Sequence, residues 1–123
     1  MLFRSTAVAA RQIPHLHTFT GGFPVAGMSG SEAMTDERTA AEFMARTMGT
    51  EHYTVVVQPQ DLPRLLRELV WHLEDLRVAS SYHNYAVARL ASRFVKVVLA
   101  GAGGDEIFAG YPWRYAQIGR AHV

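Results

Sequence analysis

The chain has 123 residues, 49% of them apolar, carries a net charge of +1 and contains no cysteine. Such a composition describes one globular domain or part of one, and it leaves out disordered, fibrous and disulfide-framed classes. Acids and bases are interspersed and no apolar run reaches the roughly 18 residues of a spanning helix, so neither nucleic acid nor a membrane is expected as a partner, and without signal-peptide organisation a cytoplasmic protein is expected.

The two ends stand apart from the rest. Leu2-Phe3-Arg4-Ser5 can be written with codons whose reverse complement encodes the end of Gln117 through Ile118-Gly119-Arg120. The shared string resembles a common sequencing adaptor, and its continuation gives Ala121-His122-Val123. Residues 1–5 and 118–123 are therefore read as translated adaptor ends and set aside, as a fusion scar would be. The natural protein is then expected to be longer in both directions.

From Thr6 the alanine-rich stretch to Gln12 predicts a helix tail that stops before Pro14. His15-Leu16-His17-Thr18-Phe19-Thr20 alternates into Gly21-Gly22, which predicts a short strand and a turn. Residues 24–34 gather proline, glycine and serine and read as a long loop. Thr35 is a cap candidate for the next helix, with Asp36 and Glu37 at its dipole's positive end, Gly49 past its end, and Ala40, Phe43, Met44 and Met48 facing inward as core. Glu51 to Val57 reads as a strand whose apolar half is buried on both faces.

Asp61 then caps a helix with Pro63 in its first turn and Leu62, Leu65, Leu66, Leu69, Val70 and Leu73 at helical spacing. Trp71 and His72 are expected at the core edge, and Glu74, Asp75 and Arg77 at a solvated helix end. Tyr82 to Phe94 predicts a further helix turning Val87, Leu90, Ala91 and Phe94 inward. The run Val95-Lys96-Val97-Val98-Leu99 predicts a strand, with Lys96 at an edge, that drives into Ala100-Gly101-Ala102-Gly103-Gly104-Asp105-Glu106 and a helix start. Alternation of this kind implies α/β architecture, a parallel sheet with helices on both faces, and ligands beyond the carboxyl ends of the strands.

Gly21-Gly22 and the Gly101–Gly104 loop both fall at such ends. Glycine lets the backbone approach a ligand, amides at a helix start favour anions, and adjacent carboxylates favour a cation. Together these suit a Mg²⁺-nucleotide, because Mg²⁺ takes one or two carboxylates plus phosphate oxygens. A plain strand-to-helix turn needing small residues is the other reading. Glu106 stands where a dinucleotide fingerprint needs its third glycine, and Gly-Lys-Ser, Gly-x-Ser-x-Gly and zinc-type clusters are all missing from the sequence.

Val95-Lys-Val-Val-Leu-Ala-Gly-Ala-Gly-Gly-Asp-Glu-Ile-Phe-Ala-Gly-Tyr111 closely resembles the second nucleotide-site motif of the glutamine-hydrolysing asparagine synthetase family. Further matches run in family order through His17-Thr-Phe-Thr-Gly-Gly-Phe23, Asp36-Glu37, Gly49-Thr-Glu-His-Tyr53 and Trp71-His-Leu-Glu-Asp75. They cover nearly all of residues 6–117, which the resemblance makes a partial synthetase domain of the ATP pyrophosphatase type, with an adenine nucleotide alpha hydrolase-like fold. It implies an ATP-dependent amide ligase that adenylates a carboxylate, aspartate first among the acceptors. Ammonia from a separate glutaminase domain then attacks. ATP and Mg²⁺ are the implied cofactors, and a homodimer is one arrangement of the parent.

Carried over by motif, Gly21 lies near the adenosine through its backbone, Ala100, Gly101, Gly103 and Gly104 line the nucleotide, Asp105 is catalytic and holds Mg²⁺ and pyrophosphate, and Glu106 assists. Three departures accompany the resemblance. The family's Ser-Gly-Gly-x-Asp-Ser pyrophosphate loop, expected just before Thr6, is absent, and with it a strand central to the sheet. Ala102 stands where well-known asparagine synthetases carry a glutamate implicated in ligation, which leaves room for an amidotransferase or cyclising synthetase with another acceptor, or a non-catalytic scaffold. The glutaminase domain with its cysteine nucleophile is missing. The fragment alone is accordingly expected to be unstable and inactive.

Overall fold

A computed structural model describes residues 3–24, 36–75, 81–108 and 110. The elements are α1 (Arg4–Ala9), β1 (His17–Gly22), α2 (Arg38–Met48), β2 (Glu51–Val56), a 3-10 turn at Pro59–Asp61, α3 (Leu62–Leu73), α4 (Ser81–Ala91) and α5 (Gly104–Ile107). β1 and β2 pair in parallel, with His17 opposite Glu51 and Gly22 opposite Val56. Gly21 and Gly22 thus continue the strand instead of ending it in a turn. The loop expected at 24–34, apart from Pro24, and Thr35, Arg77 and residues 111–123 fall outside the described residues.

Helices close on both faces of this pair. Successive strand residues point to opposite sides. A side chain on Gly21 would meet His83 and Val87 of α4, whereas one on Gly22 would meet Arg38 of α2. On the α4 face, His17, Phe19 and Tyr53 form a stack, with Phe94 tilted against it 4.1 Å from the Tyr53 ring centroid. On the α2 face, Thr18 and His52 lie beneath Ala41 and Ala45.

The helices form for the expected reasons, with one rotated by a fraction of a turn. Gly49 takes a left-handed conformation, φ 66°, and ends α2, as a glycine just past a helix commonly does. The buried face of α2 is Ala41 and Ala45, with Met44 and Met48 half-buried, while Ala40 and Phe43 are exposed. Small side chains win the inner positions because they let the helix axis approach the sheet. In α3, Leu65 and Leu69 are buried, the latter only 2% exposed, and Pro63 sits in the first turn, where a missing N–H is harmless. Trp71, expected at the core edge, is 81% exposed. It lies off the Leu65–Leu69 stripe. His72 is also exposed, yet its ring packs 5.6 Å from Tyr85. Glu68 fastens α3 to α4 by accepting from the Tyr85 hydroxyl at 2.9 Å and the Arg89 guanidinium at 2.8 Å. The Tyr85 bond, with Arg89 and Arg64 nearby, holds the Glu68 carboxyl below its usual range.

The strand expected at Val95–Leu99 is not one. Its residues pair with neither β1 nor β2, and Val97 and Leu99 are 80% and 83% exposed. A β-prone run becomes a strand only where a neighbour takes up its backbone groups, and no described segment does so. Ile107 and Phe108 are exposed too.

Among the described residues no further strand takes up either edge of the parallel pair, and open edges beside such an apolar surface invite edge pairing. The isolated 123-residue chain is therefore expected to self-associate, measured by sedimentation at micromolar concentration. A monomer with a cooperative thermal transition contradicts this.

Candidate functional site

Parallel strands direct their carboxyl ends to one rim, and in this chain that rim begins at Gly21-Gly22-Phe23. An ideal Cβ on Gly21 would lie 2.1 Å from His83 Nε2, 2.5 Å from its Cδ2 and 2.7 Å from Val87 Cγ2. Gly21 is thus required by the close approach of α4. An ideal Cβ on Gly22 would lie 2.4 Å from both Cδ and Nε of Arg38. Arg38 Nε in turn donates to both carboxylate oxygens of Asp36 at 2.9 Å, and the Arg38 amide donates to Oδ1 at 3.1 Å. These bonds hold the Asp36 carboxyl below the usual carboxylate range and raise Arg38 above its own. Asp36 thereby satisfies an amide at the start of α2, close to the capping role expected of Thr35.

Three rings close the same rim. Phe23 lies 5.4 Å from the His83 ring centroid at 40° and 5.8 Å from Tyr82 at 54°. Phe23 and Tyr82 also pack against Val57, Leu65 and Ala86. His83 Nε2 is buried and has no hydrogen-bond partner among the described residues.

The second glycine-rich segment has the local geometry the sequence predicts and a different setting. Gly103 takes φ 88°, a conformation that side chains disfavour. The Gly104 amide donates to the Gly101 carbonyl at 3.2 Å, which closes a turn into α5. Added Cβ atoms at Gly101, Gly103 and Gly104 would meet nothing within 4 Å. Ala100, Gly101 and Glu106 are exposed, and Asp105 has helical backbone as part of α5. None of the extensive packing between described elements involves α5. The structure therefore brings Gly21 together with α4 but does not bring the Gly101–Glu106 segment onto the sheet.

A cavity of about 560 Å³ lies elsewhere. It is an open groove between the end of α2 and the amino end of β2, lined by Glu42, Arg46, Thr50, His52 and Thr54 among others. At its floor the His52 Nδ1 is 2.9 Å from the Thr18 hydroxyl, which lies 3.1 Å from that of Thr50. The second nitrogen of His52 is buried without a partner among the described residues. Burial lowers the His52 pKa, and Glu42 opposes that shift.

Two residues at the rim, Arg38 and His83, escape the sequence reading. The signal for His83 is its place four residues before Val87, on the face already expected to turn inward. Nothing comparable marks Arg38.

The described residues form a small parallel α/β unit, and a family model narrows its class. The model described as Asparagine synthase matches residues 6–122, and the chain belongs to that family. It is 39% identical over 111 residues to a protein of Mycobacterium tuberculosis (strain H37Rv) provisionally named a glutamine-hydrolyzing asparagine synthetase, covering 87% of this chain and 16% of that protein. It is 35% identical over 106 residues to asparagine synthetase (glutamine-hydrolyzing) 1 of Bacillus subtilis (strain 168), covering 85% and 16%. With asparagine synthetase B (glutamine-hydrolyzing) of Escherichia coli (strain K12) it shares 31% over 102 residues, covering 80% and 17%. The chain spans about one sixth of the length of these relatives. No solved structure matches.

Gly21→Ala is expected to destabilise a full-length protein carrying this domain by about 1–3 kcal/mol, the usual cost of overpacking. Adding His83→Ala should recover part of it, because Val87 still crowds the site; melting temperatures of both single variants and the double variant measure the coupling.

His52 supplies a second expectation. Its folded pKa is depressed, so the unfolded chain takes up the proton first. Stability is full above the unfolded value of about 6.5 and falls as pH drops below it. Urea midpoints of the full-length protein should decline over that window, with a shallower decline for His52→Gln.

Proposed function

We propose that this chain is part of the synthetase domain of an ATP-dependent amide ligase that makes asparagine from aspartate with glutamine-derived ammonia. The observation that carries the reading is the Asparagine synthase match over residues 6–122, with the glycine-rich motifs in family order. At the rim of β1, Gly21 and Gly22 are covered by His83, Val87 and Arg38, with Phe23 and Tyr82 beside them.

In the complete domain, a strand and its Ser-Gly-Gly-x-Asp-Ser loop lie between β1 and residues 95–100. Their pairing turns Val95–Leu99 into the strand its sequence calls for, giving an adenine nucleotide alpha hydrolase-like sheet. Gly21 then meets the adenosine, Ala100, Gly101, Gly103 and Gly104 approach the phosphates through backbone, and Asp105 reaches the pyrophosphate side with Glu106 assisting. Among the described residues no three His, Cys, Asp or Glu side chains form a metal group. A phosphate-borne Mg²⁺ requires only one or two protein carboxylates, and Asp105 is the one proposed to hold it. When bound, Mg²⁺ neutralises phosphate oxygens as pyrophosphate departs. Aspartate's side-chain carboxylate attacks the α-phosphorus, pyrophosphate leaves, ammonia attacks the acyl carbon, and AMP leaves. Ammonia reaches this site from a glutaminase domain; the parent works in the cytoplasm, with a homodimer as one arrangement, and residues 1–5 and 118–123 are adaptor-encoded.

Ala102 favours a second reading, in which the acceptor is another carboxylate, as in an amidotransferase or cyclising synthetase. The full-length protein decides between them. With ATP, Mg²⁺, glutamine and aspartate, equimolar AMP, pyrophosphate and asparagine support the first; release with a different carboxylate selects the second; ATP binding without release marks a scaffold. Asp105→Asn is expected to lower pyrophosphate release by about 100-fold or more, the scale for removing one electrostatic stabiliser.

A further inference from the structure

The open groove at the amino end of β2 carries charge that the fold leaves uncommitted. Glu42 and Arg46 both line it from α2, and residues four apart on a helix stand on one face about 5–6 Å from each other. Both are exposed, and among the described residues Arg46 has no ion-pair or hydrogen-bond partner. Beside them α2 ends at Gly49, whose left-handed turn leaves open space where a side chain would stand. The carbonyls of that last turn bring the negative end of the helix dipole to the groove. Thr50 and Thr54 add hydroxyls, and His52 adds an imidazole already engaged by the Thr18 hydroxyl at 2.9 Å. Burial lowers the His52 pKa and keeps that ring neutral against the opposing pull of Glu42. Among the described residues lining the groove, Arg46 is therefore the one cation and Glu42 the one anion. Its volume of about 560 Å³ falls within the roughly 300–1,000 Å³ of small-molecule clefts. One anion and one cation at this spacing match the ammonium and carboxylate of a free α-amino acid. A guanidinium takes a carboxylate in two parallel hydrogen bonds, and Glu42 with the helix carbonyls takes the ammonium. A second carboxylate, as in aspartate, would meet no second cation, whereas an amide offers donors and an acceptor to the threonine hydroxyls.

We propose that this groove binds a free α-amino acid with an amide side chain, its carboxylate on Arg46, its ammonium on Glu42 and its amide among the hydroxyls of Thr50 and Thr54. The groove and the Gly21-Gly22 rim lie at opposite ends of the strand pair, so the molecule bound here is an effector and not the carboxylate that is activated. Asparagine and glutamine share the required chemistry. Their relevance rests on the ligase reading above, in which they are the product and the ammonia source.

The test uses the full-length protein, with L-asparagine, L-glutamine and L-aspartate as probes in titration calorimetry. Other sites of a ligase also take these amino acids, so the readout is the difference between the wild type and the variants Arg46→Gln and Glu42→Gln. Each variant should weaken one amide amino-acid binding event by about 10-fold or more, the scale of a charge-assisted hydrogen bond. Arg46→Lys should recover part of that loss. Melting temperatures without amino acid should stay unchanged, because both side chains are exposed. A loss confined to asparagine names the product as the ligand, one confined to glutamine names the ammonia source, and either supports the site. Titrations that both variants leave unchanged, or an equal loss for aspartate, overturn the proposal, and asparagine synthesis by the same protein then leaves the ligase reading standing. Arg46-dependent binding in a protein that makes no asparagine supports the site and overturns the ligase reading alone. Should a variant fail to fold, the Thr50 and Thr54 methyl resonances of the wild-type protein decide: a shift on adding asparagine or glutamine but not aspartate supports the site, and no shift removes it.

Discussion

Two parallel strands leave the same rim of a sheet, so the chain between them must return along the outside before it can pair again. In this protein α2 makes that return between β1 and β2, and its place follows from the six-residue register that sets His17 against Glu51 and Gly22 against Val56. A one-residue slip of β1 against β2 would turn β1 over. Thr18 would leave the α2 side and part from His52, and His17 and Phe19 would leave the α4 side and part from Tyr53. Gly21 would then turn from His83 toward Arg38.

Because that register holds, adjacent glycines face different helices. Gly21 accommodates the imidazole of α4 and Gly22 the guanidinium of α2, so the carboxyl rim is pinched between two nitrogen-bearing side chains. The Asp36 carboxylate engages Arg38 and compensates that charge locally. His83 has no such partner among the described residues, which makes it the asymmetric element of the rim. The opposite, amino-terminal end bears the open groove and the His52–Thr18–Thr50 hydrogen bonds. The polar chemistry of the fold is thus separated between its two ends.

Periodicity made the helices legible: Leu65 and Leu69 of α3 are buried where their spacing puts them, although Leu73 of the same stripe is exposed, and Gly49 ends α2. The alternation of helices and strands also pointed to parallel pairing with helices around it. Helix rotation was less legible, because alanine and phenylalanine are both apolar, and only proximity to the sheet favours Ala41 and Ala45 over Phe43. The run at Val95–Leu99 shows a harder limit. Its β propensity is plain, but a strand is a relation between two segments, and the second is not among those described. Of the site, Gly21 and the turn at Gly103 were legible as glycines. The reason for Gly21 was not, since it lies in a histidine more than sixty residues away in sequence.

Among the described residues, four of the seven buried apolar ones are alanines: Ala41, Ala45, Ala86 and Ala91. A core assembled this way gains its density from backbones drawn close together, with few side-chain atoms filling the space between them. Its mutational tolerance is therefore one-sided. Truncation has almost nothing to remove at these positions, whereas every larger residue pushes a helix off the sheet. Sequence drift in this layer is confined to exchange among the smallest side chains, and variation in bulk is left to the helix faces turned to solvent.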